Sequence, residues 1–116
     1  MQIAVIGGGS WGTTIASQVS SKATTTLWCR SSEIADAINT HHENPRYLPG
    51  LLLPEALRAS TDISEALANA EIIAVAVPSH AVRSVMQEFT PHIASETLLV
   101  SLTKGCLLYT SPSPRD

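Results

Sequence analysis

The chain has 116 residues, of which 44% are apolar and 15% charged, with a formal net charge of −3. That length suits one domain with a real core, and the composition is globular rather than disordered or membrane-embedded. There is no basic stripe for a nucleic-acid partner and no apolar run long enough to span a bilayer. Met1 and Gln2 lead into apolar sequence without a basic flank, so no leader is expected and the protein reads as cytoplasmic.

The apolar run Ile3–Ile6 ends in glycine and predicts a buried parallel strand. Ser10–Ser20 has helical spacing, with Ile15, Ala16 and Val19 on one side. Thr24–Cys29 is rich in β-formers and predicts a second strand. Ser31 or Ser32 can cap a helix through Ile34, Ala35 and Ile38. From Asn39 to Pro54 the pattern fails, and Pro45, Pro49, Gly50 and Pro54 punctuate a long loop with room for one helical turn. Leu57–Ser60 reads as a short strand. Asp62, three residues before Glu65, predicts a capping box for a helix through Leu67 and Ala68. Glu71–Val77 is a buried strand stopped by Pro78, and Ser79 can cap a helix through Val82, Val85, Met86 and Phe89. Thr97–Leu102 is a further strand.

The segment Gly7-Gly8-Gly9-Ser10-Trp11-Gly12-Thr13 lies where the first strand passes into the first helix, and this context gives G-x-G-x-x-G its meaning. Gly7 allows the tight turn, Gly9 lets backbone approach a pyrophosphate, and Gly12 lets helix pack close to strand. The helix start then favours the anion. Ser10 can add a hydroxyl contact, and Trp11 can cover the cofactor. With strand and helix alternating, the fold class is α/β, a Rossmann-type doubly wound parallel sheet. The second strand ends Leu27-Trp28-Cys29-Arg30-Ser31-Ser32, without the carboxylate that usually binds a ribose 2′-hydroxyl. Arg30 and the serines suit a 2′-phosphate, which favours NADP over NAD.

His80 falls at a strand's carboxyl end, where a ligand would sit, but also suits an ordinary first helical turn. His41, His42 and His92 have no spaced partners for a metal. Cys29 and Cys106 lack ligand spacing and read as free thiols. Lys104 ends the last predicted strand on the ligand-bearing edge, where it can serve as a point charge for a substrate phosphate.

Gly7–Thr13, Leu27-Trp28-Cys29-Arg30, Tyr47-Leu48-Pro49, Val77-Pro78-Ser79 and Thr103-Lys104-Gly105 together resemble, in order and spacing, the bacterial NAD(P)-dependent glycerol-3-phosphate dehydrogenases, over Met1–Gly105. The resemblance implies interconversion of dihydroxyacetone phosphate and sn-glycerol 3-phosphate for phospholipid synthesis, and a homodimer for the full-length parent. It implies that Ser10, Trp11 and Arg30 touch the cofactor, with Ser31 and Tyr47 as weaker candidates, and that Lys104 contacts both cofactor and the phosphorylated substrate. Residues 1–105 would then be an incomplete NAD(P)-binding domain. The Ser/Pro-rich tail 106–116 departs from the family and is expected to be disordered and non-native. The family's catalytic lysine and helical substrate domain would lie beyond this chain, leaving an inactive fragment. A stand-alone NAD(P)-binding sensor module and a related dehydrogenase such as a ketopantoate reductase are the alternatives.

Overall fold

Gln2–Ile6 forms strand β1, which has helices on both sides to bury against. Val5 joins a cluster with Ala16, Leu27 and Ile38, while Ala4 and Ile6 join one with Trp28, Ile73 and Phe89. A strand covered on both faces can be apolar throughout, as a buried parallel strand requires. The computed structural model describes residues 1–7, 9–77, 79–93 and 96–101. After β1 come α1 (Ser10–Val19), β2 (Thr24–Trp28), α2 (Ser32–His41), β3 (Arg58–Ser60), α3 (Ile63–Leu67), β4 (Ile72–Val75), α4 (Ser79–Phe89), a 3₁₀ turn (Thr90–His92) and β5 (Leu98–Ser101).

All strand pairs are parallel, in the order β3-β2-β1-β4-β5. β1 therefore lies at the point where the strand order reverses, where ligands bind in doubly wound sheets. Helices α1 and α2 cover one face and α3 and α4 the other. Phe89 is fully buried on the second face, a burial that stabilises by about 1.5–3 kcal/mol.

Local chemistry accounts for the element ends. Ser31 caps α2, its Oγ accepting from the Ile34 N–H at 3.4 Å. The periodicity predicts loop from Asn39, but α2 continues to His41. Asn39 faces β3, where its amide donates to the Ala59 carbonyl and accepts the Ala59 N–H, both at 2.9 Å. A polar residue that breaks the apolar period thus dresses the outer edge of β3, which would otherwise offer unpaired backbone. His42 closes the helix in the left-handed region at φ 57°, its N–H donating to Ile38.

The capping box at Asp62 forms only in half. Asp62 Oδ1 accepts from the Glu65 N–H at 3.2 Å, as expected. The return contact runs through Ser60, whose Oγ donates to Glu65 Oε1 at 2.7 Å and accepts the Asp62 N–H at 3.0 Å. Ser79 is the first residue of α4 rather than its cap. Among the described residues, no helix is long and apolar enough to cross a membrane.

Candidate functional site

The strand registers bring Ile6, Trp28, Ser60, Val75 and Ser101 into line at the carboxyl edge of the sheet. The described residues immediately beyond Ile6, Trp28, Ser60 and Val75 share one rim. The Gly7 N–H donates to the Trp28 carbonyl at 2.9 Å and the Ala76 N–H to the Ile6 carbonyl at 2.8 Å, so the chain leaves β1 held between β2 and β4.

The glycines divide the work as their positions demand. Gly7 has φ +122°, and a Cβ there would lie 2.5 Å from the Ala76 carbonyl oxygen. That backbone excludes a side chain by conformation and by space. A Cβ on Gly12 would collide with the Gly7 carbonyl oxygen, so α1 crosses the strand end at the distance only glycine permits. Gly9 differs: its φ of −77° suits any residue, and a Cβ there would meet nothing within 4 Å among the described residues. The protein does not need glycine at this position for its own packing. The open space lies at the start of α1, where Gly9 is the N-cap and brings no side-chain oxygen to the first turn. An unobstructed helix N-terminus with free space at its mouth fits a pyrophosphate. Ser10 and Trp11 are both exposed here, Trp11 by 53%.

Arg30 stands just beyond β2, exposed, with its Cζ 5.5 Å from the Trp28 ring centroid. No ion pair engages it among the described residues. Ser31 follows, and its Oγ, already accepting from Ile34, keeps its hydroxyl hydrogen to donate. The tip of β2 thus presents a cation, a hydroxyl and the N-terminus of α2.

Cys29 beneath them is buried, and desolvation pushes its thiol from the ordinary 9.0 up to about 11. The folded chain holds this proton where the unfolded chain has lost it. Stability is therefore full below about pH 9 and declines as pH rises toward 11, a decline that Cys29→Ala should flatten; urea midpoints at about pH 8 and pH 10.5 check it. At neutral pH the native thiol should resist alkylation until the chain is unfolded.

The loop after α2 is tied to α1 by a residue that sequence reasoning missed. Asn44 is fully buried; its Nδ2 donates to Thr13 Oγ1 at 2.9 Å, and its Oδ1 accepts the Tyr47 N–H at 3.3 Å. The Asn44-Pro45 pair reads in sequence as a turn former. Its buried partner, 31 residues earlier in the chain, leaves no local signal. Residues 44 and 48 form an antiparallel bridge, and the Leu48 N–H donating to the Asn44 carbonyl closes a single i→i+4 turn between them. Tyr47, at 45% exposure, is thereby held on the loop docked to the first turn of α1.

The structure places Gly7, Gly9, Ser10, Trp11, Gly12, Arg30 and Ser31 on the one rim and connects Tyr47 to it through Asn44. His80 is exposed in the first turn of α4. His92 Nδ1 lies 3.4 Å from Ser64 Oγ, away from the rim. Among the described residues, no three His, Cys, Asp or Glu side chains are grouped to hold a metal. Gly8, Pro78, Lys104, Gly105, Cys106 and the tail 106–116 lie outside the described residues.

The fold recurs in known proteins. The family model described as "NAD-dependent glycerol-3-phosphate dehydrogenase N-terminus" matches residues 2–112. An NAD(P)+ glycerol-3-phosphate dehydrogenase of Sphingopyxis alaskensis is 48% identical over 105 residues, covering 90% of this chain and 32% of the relative. The glycerol-3-phosphate dehydrogenase structure from Saccharomyces cerevisiae superposes with a TM-score of 0.84 at 29% identity, over 90% of this chain and 33% of that one. The Coxiella burnetii structure gives 0.81 at 35% identity, over 89% and 32%. The chain spans about a third of the length of the relatives it matches. The chain belongs to the NAD-dependent glycerol-3-phosphate dehydrogenase family and matches its N-terminal part.

Proposed function

We propose that this chain is the cofactor-binding part of an enzyme that interconverts dihydroxyacetone phosphate and sn-glycerol 3-phosphate, with NADP favoured over NAD. The observation that carries the cofactor site is that a Cβ at Gly9 would meet nothing within 4 Å among the described residues, while Gly7 and Gly12 are packed so closely that neither admits a side chain; the substrate follows from the family. A nicotinamide cofactor bound there supplies the hydride. The chain's own residues orient it: α1 and Ser10 hold the pyrophosphate, Trp11 covers it, and Arg30 and Ser31 meet a 2′-phosphate. Tyr47 borders the same site from its loop. Lys104 is assigned to cofactor and to the substrate phosphate by family resemblance. In the whole protein we place the activity in the cytoplasm and in a homodimer, with no nucleic acid or membrane partner.

Two measurements test this. Expressed alone, the 116 residues should bind NAD(P)H in calorimetry yet oxidise none of it with dihydroxyacetone phosphate, since they span only about a third of the relatives' length. Failure to bind either cofactor would remove the assignment. An enzyme of the relatives' full length carrying these residues should accept dihydroxyacetone phosphate in preference to ketopantoate. The reverse preference would select the related reductase. For coenzyme choice, Arg30→Ala should weaken NADPH by about tenfold, the loss of a charge-assisted contact, while NADH changes little. Equal losses would remove the NADP preference.

A further inference from the structure

Trp28 is the last residue of β2 and part of the core on the α3–α4 face. Its ring is fixed from several directions. It is 5% exposed, its Nε1 donates to the Thr61 carbonyl at 3.0 Å, and it meets Phe89 in a T-shaped contact at 4.8 Å and 88°. Phe89 is itself fully buried, so the ring is anchored to the core between β2 and α4. Two residues on, the Arg30 guanidinium lies over that ring at 5.5 Å.

Resting on the reading of Arg30 as the 2′-phosphate contact, we propose that Trp28 is a positioning residue for coenzyme discrimination. Its immobilised ring holds the guanidinium at the tip of β2, ready for the phosphate of NADP. The physical reason is preorganisation. An exposed arginine samples many rotamers and must lose that freedom when it binds. A guanidinium already resting on an aromatic face keeps its planar fork in one orientation and stays weakly hydrated. NADH has no 2′-phosphate and gains nothing from this arrangement. Trp28 thus acts on the ratio of affinities rather than on binding as a whole.

The test is the ratio of NADPH to NADH affinity, measured on the full chain by titration calorimetry. Arg30→Ala should lower the ratio by about tenfold. Trp28→Leu should lower it by about threefold to fivefold, the scale of a cation–π contact, and Trp28→Phe by less. In the Arg30→Ala background, Trp28→Leu should change the ratio no further, because its effect passes through the guanidinium. A purely structural role would weaken both cofactors alike, so an unchanged ratio in Trp28→Leu overturns the proposal. An unchanged ratio in Arg30→Ala instead overturns the reading of Arg30, and the proposal with it. Should Trp28→Leu fail to fold, Trp28→Met decides, since methionine fills the buried site flexibly and offers the guanidinium no aromatic face. A ratio lowered by a similar factor supports the proposal, and a wild-type ratio overturns it.

Discussion

Gly9→Ala is expected to weaken NAD(P)H binding by at least about tenfold while costing less than about 1 kcal/mol of stability, the usual scale of an N-cap change. Gly12→Ala is expected to damage both. The difference follows from what each new methyl would meet. At Gly9 the space is open and the backbone is extended, so the folded chain accepts alanine and only the approaching pyrophosphate collides with it. At Gly12 the methyl collides with the Gly7 carbonyl oxygen, a backbone atom that cannot rotate aside. Helix α1 must move off the sheet, at a cost of about 2–4 kcal/mol, and the thermal midpoint should fall by about 10 °C or more. Melting curves and calorimetric titrations on both variants separate the two roles. Equal loss of stability in both would mean that Gly9 serves packing and not ligand approach.

Asn44→Ala carries the second large effect. The variant loses the contact to Thr13, the contact to the Tyr47 N–H and the volume of a fully buried side chain. Together these amount to about 2–4 kcal/mol. The change is local in a second sense, because the loop is held through Asn44. The Leu48 N–H donates to the Asn44 carbonyl at 2.9 Å and the Leu53 N–H to His42 at 2.6 Å. Both amides should exchange with solvent faster in the variant, while those of β1 should speed up only as far as the loss of global stability dictates. A double-mutant cycle with Thr13→Ala should show coupling of about 1 kcal/mol. Additive losses would show that the two side chains do not depend on one another.

These two sites also mark what sequence could and could not reveal. The glycine turn is legible because its constraint is local: seven consecutive residues carry strand end, turn and helix start, and a missing side chain is visible in the letters. The sheet is legible for a similar reason, since β1 and β4 are apolar runs closed by glycine and proline and β2 is a run of β-formers followed by a helix cap. The edges of that reading fail where a polar side chain serves a distant partner. Asn39 breaks the apolar period yet sits inside α2, because its amide pairs with Ala59 across 20 residues. Asn44 reads as a turn former and is in fact fully buried. Glu65 was expected to return to the Asp62 backbone and instead meets Ser60. In each case composition announces a polar residue, and only three-dimensional proximity says what satisfies it.

The position of β1 has a consequence for how the chain is made. Of the five strands it is made first, yet it needs neighbours on both sides, and one of them, β4, begins only at Ile72. After β3 is complete at Ser60, about a dozen residues must still be added, roughly a second of synthesis. Until then β1 has one bare edge, and Ala4 and Ile6 lack much of their cover. A pause in translation within that interval should raise the share of nascent chains lost to aggregation, whereas a pause after β4 should not.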